Sequence, residues 1–395
     1  MNKLNILIDG NFIAMSEFAI FSEYGKSKSP LKTETNQIAF IQGLANKLFY
    51  AINALPKGGN VIFCLDSNSW RKSIFIEGGG YKHSREDKDG NKPMMDLETK
   101  EIFYSLLNEF FEILQDIGIK VSRVKNTEGD DLLFKWAKYF NENNENAIII
   151  SADRDLIQTV RGPNEPFTIQ WTNKKNANKI YAPRGWKDAW LSESKNTIFD
   201  FNIIKDQTII NKLMRDQEIT IVEFDPQLFV FKKILIGDSG DNVPSVWSFS
   251  TKGKKGQDKI VRVTEKKVTT IIEYLKTQFD LTDANMMSLW DDTTFIAYLS
   301  GVILRVSGDI DDANKRLRVT DNLYRNARLV WLTEKSLPVN LVSAMDEHIQ
   351  ASAELPTARD RWSRKKLLEG TRFDTGSGAP AKMDPFAGMN LDNLV

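Results

Sequence analysis

The chain has 395 residues, 41% hydrophobic and 27% charged, the composition of an ordinary soluble globular protein with room for two or three domains. Its 53 basic residues balance 53 acidic ones, so an anionic partner must be met by a local patch and not by a global field. The single cysteine, Cys64, excludes an intramolecular disulfide and reads as a buried thiol in a reducing compartment.

At the N-terminus "LNILID" (4–9) reads as a first strand. It reaches Asp9 too early for a signal-peptide core, and no apolar run approaches bilayer length; the expectation is a soluble, cytoplasmic protein with no membrane partner. A helix is predicted over about 35–54, followed by the strand "NVIFCLD" (60–66). The glycines and charges of "WRKSIFIEGGGYKHSRED" (70–87) read as a mobile loop. A helix over 96–117, the strand "IKVSRV" (119–124), a helix over 128–141 and the strand "NAIIISAD" (146–153) complete the pattern. Short strands apolar on both faces, alternating with helices, predict an α/β core with a parallel sheet flanked by helices. The stretch 188–224 carries no assignable element. A helix over about 225–236 runs into the glycine-rich "GDSGDNVPSV", and residues 260–373 read as mainly helical. Three segments follow: a core over 1–224, a helical domain over 225–373, and a flexible tail over 374–395 whose Phe386, Met389, Leu391 and Leu394 suit a partner-docking peptide.

Ligands of open parallel sheets collect beyond the carboxyl ends of the strands, and acids recur there. Asp9 ends the first strand, Asp66 the second and Asp153 the fourth, with Asp155 two residues on. Glu128, Asp130 and Asp131 open the helix after the third strand, and Asp238 and Asp241 form a further pair. Each alone is explained as a helix cap or turn former. Collected on one edge they are better explained by a shared hard-cation site, because a divalent ion neutralises the repulsion of crowded carboxylates.

The ordered motifs "ILIDG", "CLD", "EGDD", "SADRD" and "GDSGDNVPSV" resemble the 5' nuclease family, the flap endonucleases and 5'-3' exonucleases with a PIN-like core. Within it, the basic sequence after "GDSGDNVPSV" and the "IQWTNKKNANKIYAP" stretch look most like the ribonuclease H group of the T-even phages. The resemblance implies that Asp9, Asp66, Glu128, Asp130, Asp131, Asp153, Asp155, Asp238 and Asp241 bind two Mg2+ ions, replaceable by Mn2+. Two-metal hydrolysis needs no nucleophilic side chain, and neither His83 nor His348 falls in an acid cluster. It implies a helical gateway near 70–98, in which Lys82 and Arg85 act on the scissile phosphate, Tyr81 stacks on a terminal base, and Arg71 joins the nucleic-acid contacts. The family's Gly-x-Gly-x-Lys hairpin and its K+ site are not matched. Here "WSFSTKGKKGQDKIVR" places Lys252, Lys254, Lys255, Lys259 and Arg262 in a basic loop leading into a helix, a phosphate track by counterion release.

The expected activity is a monomeric Mg2+-dependent 5' nuclease acting on DNA or RNA–DNA duplexes with a 5' end, flap or fork. It would remove RNA primers or 5' flaps in phage replication, with a sliding clamp or single-strand-binding protein docking on the tail. A PIN-like endoribonuclease and a catalytically inactive structure-specific DNA-binding protein are the alternatives.

Overall fold

The computed structural model describes residues 3–25, 30–53, 59–76, 79–82, 95–162, 166–174, 177–186, 220–252, 257–355 and 367–375. The chain divides into two compact units. One comprises Met1–Asn68, Gly90–Phe224 and Asn340–Val395, and the other Ser69–Asp89 and Asp225–Val339.

The first unit is built on a seven-stranded sheet of order β3-β2-β1-β4-β5-β6-β7. Its strands are β1 (Leu4–Asp9), β2 (Val61–Cys64), β3 (Lys120–Ser122), β4 (Asn146–Ile150), β5 (Thr168–Lys174), β6 (Ala177–Pro183) and β7 (Thr220–Phe224). The first five run parallel. β6 turns back antiparallel to β5, and β7 pairs parallel with β6. Helices α1 (Gly10–Gly25), α2 (Glu34–Asn53), α3 (Leu97–Asp116) and α4 (Gly129–Glu142) connect the parallel strands. Alternation of side chains along a strand divides the buried apolar residues. Ile6, Ile8, Val61, Phe63, Ile148 and Ile150 join one core with Phe18, Phe40, Leu44, Phe103 and Phe110 of α1, α2 and α3. α4 packs on β1, β2 and β4 through a stripe in which Leu132, Leu133, Trp136 and Phe140 are buried. This is the α/β sheet expected from the alternation of short apolar strands with helices.

Helix α1 was not anticipated: "GNFIAMSEFAIFSEYG" is apolar on several sides, so it lacks the single-stripe period by which a surface helix is recognised. The β5–β6 hairpin and β7 were also unassigned.

The second unit packs α5 (Pro226–Ile236), α6 (Glu265–Gln278), α7 (Thr293–Ser307) and α8 (Ala313–Val330) around a separate core that contains Phe231, Ile234, Ile271, Leu275, Phe295, Leu299 and Leu323. A two-stranded antiparallel ribbon, β8 (Ser248–Lys252) and β9 (Asp258–Arg262), projects from it. The ribbon replaces the loop expected in this stretch. Strand pairing is a non-local choice, and charged residues at alternate positions do not announce it.

Helix α9 (Val339–Ala353) and residues 367–375 belong with the first unit, whereas the linear division of the sequence carries a C-terminal domain to 373. On α9, Asp346 lies 2.5 Å from the buried Lys135 ammonium, and His348 Nε2 lies 3.0 Å from Ser122 Oγ. Farther on, Phe373 is fully buried in the first core, and Arg372 forks onto Glu109 at 2.7 and 2.6 Å. Periodicity identifies an amphipathic helix but not the core that receives its apolar face. The tail beyond Thr375, with Phe386, Met389, Leu391 and Leu394, lies outside the described residues. Among the described residues, no helix is long and apolar enough to cross a membrane.

Candidate metal centre

The order β3-β2-β1-β4-β5 places β1 beside β4, and the connections that leave these two strands run in opposite directions, β1 to β2 and β4 to β5. A crevice outside the strand ends at such a reversal is the usual ligand position of an open parallel sheet. Asp9 ends β1 at that point and is nearly buried. Its Oδ1 accepts the N–H of Phe12 at 2.9 Å, and its Oδ2 accepts the hydroxyl of Ser151, just past β4, at 2.7 Å. Burial pushes the Asp9 carboxyl up to about 7 against those two hydrogen bonds, and the charges of Asp66 and Asp153 add to the rise.

Asp66 follows β2. Its Oδ1 accepts the N–H of Gly129, the first residue of α4, at 2.6 Å. Glycine suits that position because a Cβ there would stand 3.1 Å from the same oxygen. Asp130 is the electrostatic centre of the group. Burial, then Asp153, Asp9, Asp66 and Glu128, hold its carboxyl well above the usual carboxylate range. Four acids contributed by the ends of three neighbouring strands and by one helix start thus act on a single side chain.

Asp131 has a different job. It is 1% exposed, and its Oδ2 accepts the N–H of Glu128 at 3.2 Å, closing the reciprocal cap at the start of α4. Within "EGDD", then, Asp131 serves the helix terminus while Asp130 faces the other carboxylates. Asp153 is solvent-exposed and caps the following 3-10 turn, accepting the N–H of Asp155 at 2.8 Å.

Ser151 was not anticipated. Besides donating to Asp9, its Oγ accepts the N–H of Asp153 at 3.0 Å. Its carbonyl accepts from Gln170 Nε2 at 3.0 Å and Thr172 Oγ1 at 2.7 Å. One hydroxyl thereby sets the spacing of two acids across the β1/β4 crevice. The serine two residues before the aspartate in "SADRD" was the available signal. Cys64 on β2 is buried, and burial, then Asp9 and Asp130, push its thiol well up, so it behaves as an inert core residue.

In the second unit, Gly237 ends α5 with φ 81° and admits no Cβ, since Val243 O would lie 2.4 Å from it. The turn that follows holds Asp238 and Asp241. Asp238 Oδ2 lies 2.8 Å from the Lys233 ammonium, and Oδ1 accepts the N–H groups of Gly240 and Asp241 at 2.8 and 3.4 Å. Burial opposes ionisation, but Lys233 and those donors prevail and hold the Asp238 carboxyl below its ordinary value.

Residues 80–82 are stapled to the same turn. Tyr81 Oη donates to Asp241 Oδ2 at 3.0 Å, Lys82 N–H to Asp241 O at 2.9 Å, and Asn242 Nδ2 to Gly80 O at 3.0 Å. Two expectations are corrected here. Tyr81 is 7% exposed within the second core, so its ring does not offer a stacking face. Arg71 is 2% exposed, with Nε donating to Leu329 O at 3.1 Å and the guanidinium 5.0 Å from the Trp70 ring centre; it supports the unit and does not meet a phosphate. Lys82 is half-buried with φ 61°, its ammonium 5.0 Å from the Tyr81 ring centre. On the ribbon, Lys259 and Arg262 are exposed, and Lys252 pairs with Asp258 at 2.6 Å. Arg85, Lys254 and Lys255 lie outside the described residues.

The donor set of the first unit fits a hard divalent cation. Every charged group that shifts Asp9 and Asp130 is another carboxylate, and oxygen-only ligands with mutual repulsion suit Mg2+ or Mn2+.

Residues 4–190 match the model of the 5'-3' exonuclease N-terminal resolvase-like domain. A 5'-3' exonuclease of Buchnera aphidicola subsp. Schizaphis graminum is 24% identical over 243 residues, 61% of this chain and 64% of the relative. DNA polymerase I of Lactococcus lactis subsp. lactis is 23% identical over 244 residues, 61% of this chain and 22% of that protein. The chain thus spans under two thirds of the length of these relatives. A solved structure of a bacteriophage T5 flap endonuclease, in a pseudo-enzyme-product complex with DNA and metal ions, aligns over 89% of this chain and 98% of its own at 15% identity and a TM-score of 0.48. The similarity to the 5'-3' exonuclease N-terminal resolvase-like domain thus lies in residues 4–190, which carry strands β1 to β6 of the sheet and the carboxylates of the β1/β4 crevice.

Proposed function

We propose that the chain is a structure-specific 5' nuclease that hydrolyses phosphodiester bonds with Mg2+, Mn2+ substituting, at the carboxylates of the β1/β4 crevice. The observation that carries the reading is the convergence on Asp130 of Asp9, Asp66, Asp153 and Glu128, within the segment that matches the exonuclease domain. Asp9, Asp66, Asp130, Asp153 and Glu128 would hold metal in the first unit. Asp155 in the first unit, and Asp238 and Asp241 in the second, are further metal ligands in this reading. Divalent ions, when bound, polarise the phosphate and lower the pKa of the attacking water.

The chain's own groups supply position. Ser151 orients Asp9 and Asp153 together, Gly129 N–H fixes one oxygen of Asp66, and the Asp131 cap locks the start of α4 so that Asp130 is presented at a constant angle. Lys82, its backbone anchored on Asp241, is the cation assigned to the charge that develops on the phosphate. The substrate in this reading is a DNA or RNA–DNA duplex with a 5' end or flap, and the biological task is removal of RNA primers or flaps in phage replication by an intracellular monomer. The tail carrying Phe386 and Leu394 docks a clamp or single-strand-binding protein.

Product mapping tests the proposal. With 5'-labelled flap, nicked and RNA–DNA substrates, Mg2+ is expected to release short 5' products from duplexes with a free 5' end. Cleavage of unpaired RNA alone would establish an endoribonuclease instead, and binding without cleavage a DNA-binding protein.

A further inference from the structure

Helices α6 and α7 of the second unit pack together and leave between them a groove of about 510 Å³ lined by Lys266, Lys267, Thr270, Tyr274, Val302, Arg305 and Val306. Pockets that hold small ligands are commonly about 300–1,000 Å³. The lining follows from helical spacing. Lys266, Thr270 and Tyr274 succeed one another at i, i+4 and i+8 on α6, and Val302, Arg305 and Val306 share one face of α7.

Three features of the groove are chemically distinct. Val302 is buried and Val306 packs on the second core, giving an apolar floor. Tyr274 is 51% exposed, a large aromatic surface left in water beside that floor. Lys266, Lys267 and Arg305 supply three cations, and no carboxylate is among the described residues of the lining. Burial and the charge of Lys259 on the ribbon both depress the Lys267 ammonium, which an anion would relieve. Arg305 also lies toward Asp311, but that carboxylate is forked onto Arg316 at 2.5 and 2.7 Å.

A flat aromatic face next to several cations matches a nucleotide, which joins a π-face to a phosphate. An acidic peptide would use the cations and leave the tyrosine idle. We propose that this groove binds a nucleotide of a single-stranded segment, its base stacked on Tyr274 and its flanking phosphates met by Lys266, Lys267 and Arg305. The site rests on the nucleic-acid substrate inferred above, and it adds to that reading a place for the unpaired strand, separate from the carboxylates. Stacking is indifferent to base identity and cations track the backbone, so the site is sequence-tolerant.

The test is the affinity of the full chain for a fluorescein-labelled oligothymidine, read by anisotropy in EDTA so that neither metal nor cleavage contributes. Tyr274→Leu is expected to weaken binding about tenfold, with Tyr274→Phe near wild type, since base–aromatic stacking is worth about 1–3 kcal/mol. Lys266→Gln combined with Arg305→Gln is expected to flatten the slope of log affinity against log salt by roughly 1.4, about 0.7 per contact on a single strand. A blunt duplex should lose much less.

Equal losses on duplex and single strand, or an unchanged salt slope, would overturn the proposal. So would thymidine monophosphate binding as tightly as the oligomer, which makes the groove a free-nucleotide site. If Tyr274→Leu does not fold, the exposed Lys266 and Arg305 pair decides alone. Failure of the nuclease reading shows separately, as absent cleavage in Mg2+ with this binding intact.

Discussion

In the first unit, burial and four other carboxylates hold Asp130 well above the usual range and Asp9 is pushed up to about 7, whereas in the second unit Lys233, 2.8 Å from Asp238, holds that carboxyl low. The two clusters share residue types and differ in who supplies the counter-charge. A buried charge is tolerated when it is paired or neutralised. The second unit carries its own cation on the last turn of α5, so the Asp238 turn is ionised and ordered as it stands. Among the described residues Asp9 and Asp130 have no such partner, and they acquire protons or a cation from solution. In the proposed reading, metal binding and proton release are therefore coupled most strongly at the β1/β4 crevice.

The comparison is broken most directly at Asp130. Asp130→Asn removes a proposed ligand and a repelled carboxylate at once. Single-turnover cleavage is expected to fall by roughly two to three orders of magnitude, several kcal/mol of lost electrostatic stabilisation. The melting temperature of the metal-free protein is expected to rise. Loss of both activity and metal-free stability would show that Asp130 is held by partners other than its fellow acids.

A smaller effect is expected from Ser151→Ala, which removes the hydroxyl shared by Asp9 and Asp153. Hydrogen bonds to charged groups contribute about 1.5–3 kcal/mol, so a loss of roughly tenfold or more in cleavage should accompany a further rise in the Asp9 pKa, measurable by carboxyl 13C titration. An unmoved Asp9 titration would remove Ser151 from the positioning role.

The second unit sharpens the contrast through opposite shifts. Asp238→Asn is expected to raise the Mg2+ concentration for half-maximal cleavage several-fold. Lys233→Gln, which frees the same carboxylate of its competitor, should lower it. Magnesium titrations of both variants on one flap substrate check the pair, and shifts of the same sign would refute the assignment.

The smallest expected effect concerns pH. The Asp9 carboxyl is raised in the folded state to about 7 from an ordinary 3.8, so between those values the folded chain binds more protons than the unfolded one. Stability of the metal-free protein therefore declines as pH rises through that window and levels off above it. A fall of several °C in melting temperature between about pH 5 and pH 8 is expected, with Mg2+ restoring more at pH 8 than at pH 5. A flat profile in EDTA would show that Asp9 is ionised without metal.

Much of the acid cluster was legible because its logic is linear. Acids that end apolar strands in a parallel sheet must gather on one edge, so Asp9, Asp66 and Asp153 could be placed together from strand ends alone. The division of labour inside "EGDD" was not legible. Asp130 and Asp131 are adjacent and alike, and only the direction of each side chain from α4 makes one a cap and the other a member of the cluster. Tyr81 and Arg71 were misplaced for the same kind of reason. A tyrosine or arginine in a glycine-rich, charged stretch reads as surface, yet both are drawn into the second core by contacts with Asp241 and Leu329, more than a hundred residues away.

The sequence by itself determined what local chemistry and period can carry: strand against helix along most of the parallel core, the acids at the strand ends, and the capped start of α4. Tertiary structure alone decided which core each element joins and which charges meet. Helix α9 lies on β3 and α4 through His348 and Asp346, and Tyr81 reaches Asp241 from 160 residues away. Local pattern is set by neighbours a few residues apart, whereas counter-charge and burial are set by groups that meet only when the chain has closed its long-range contacts.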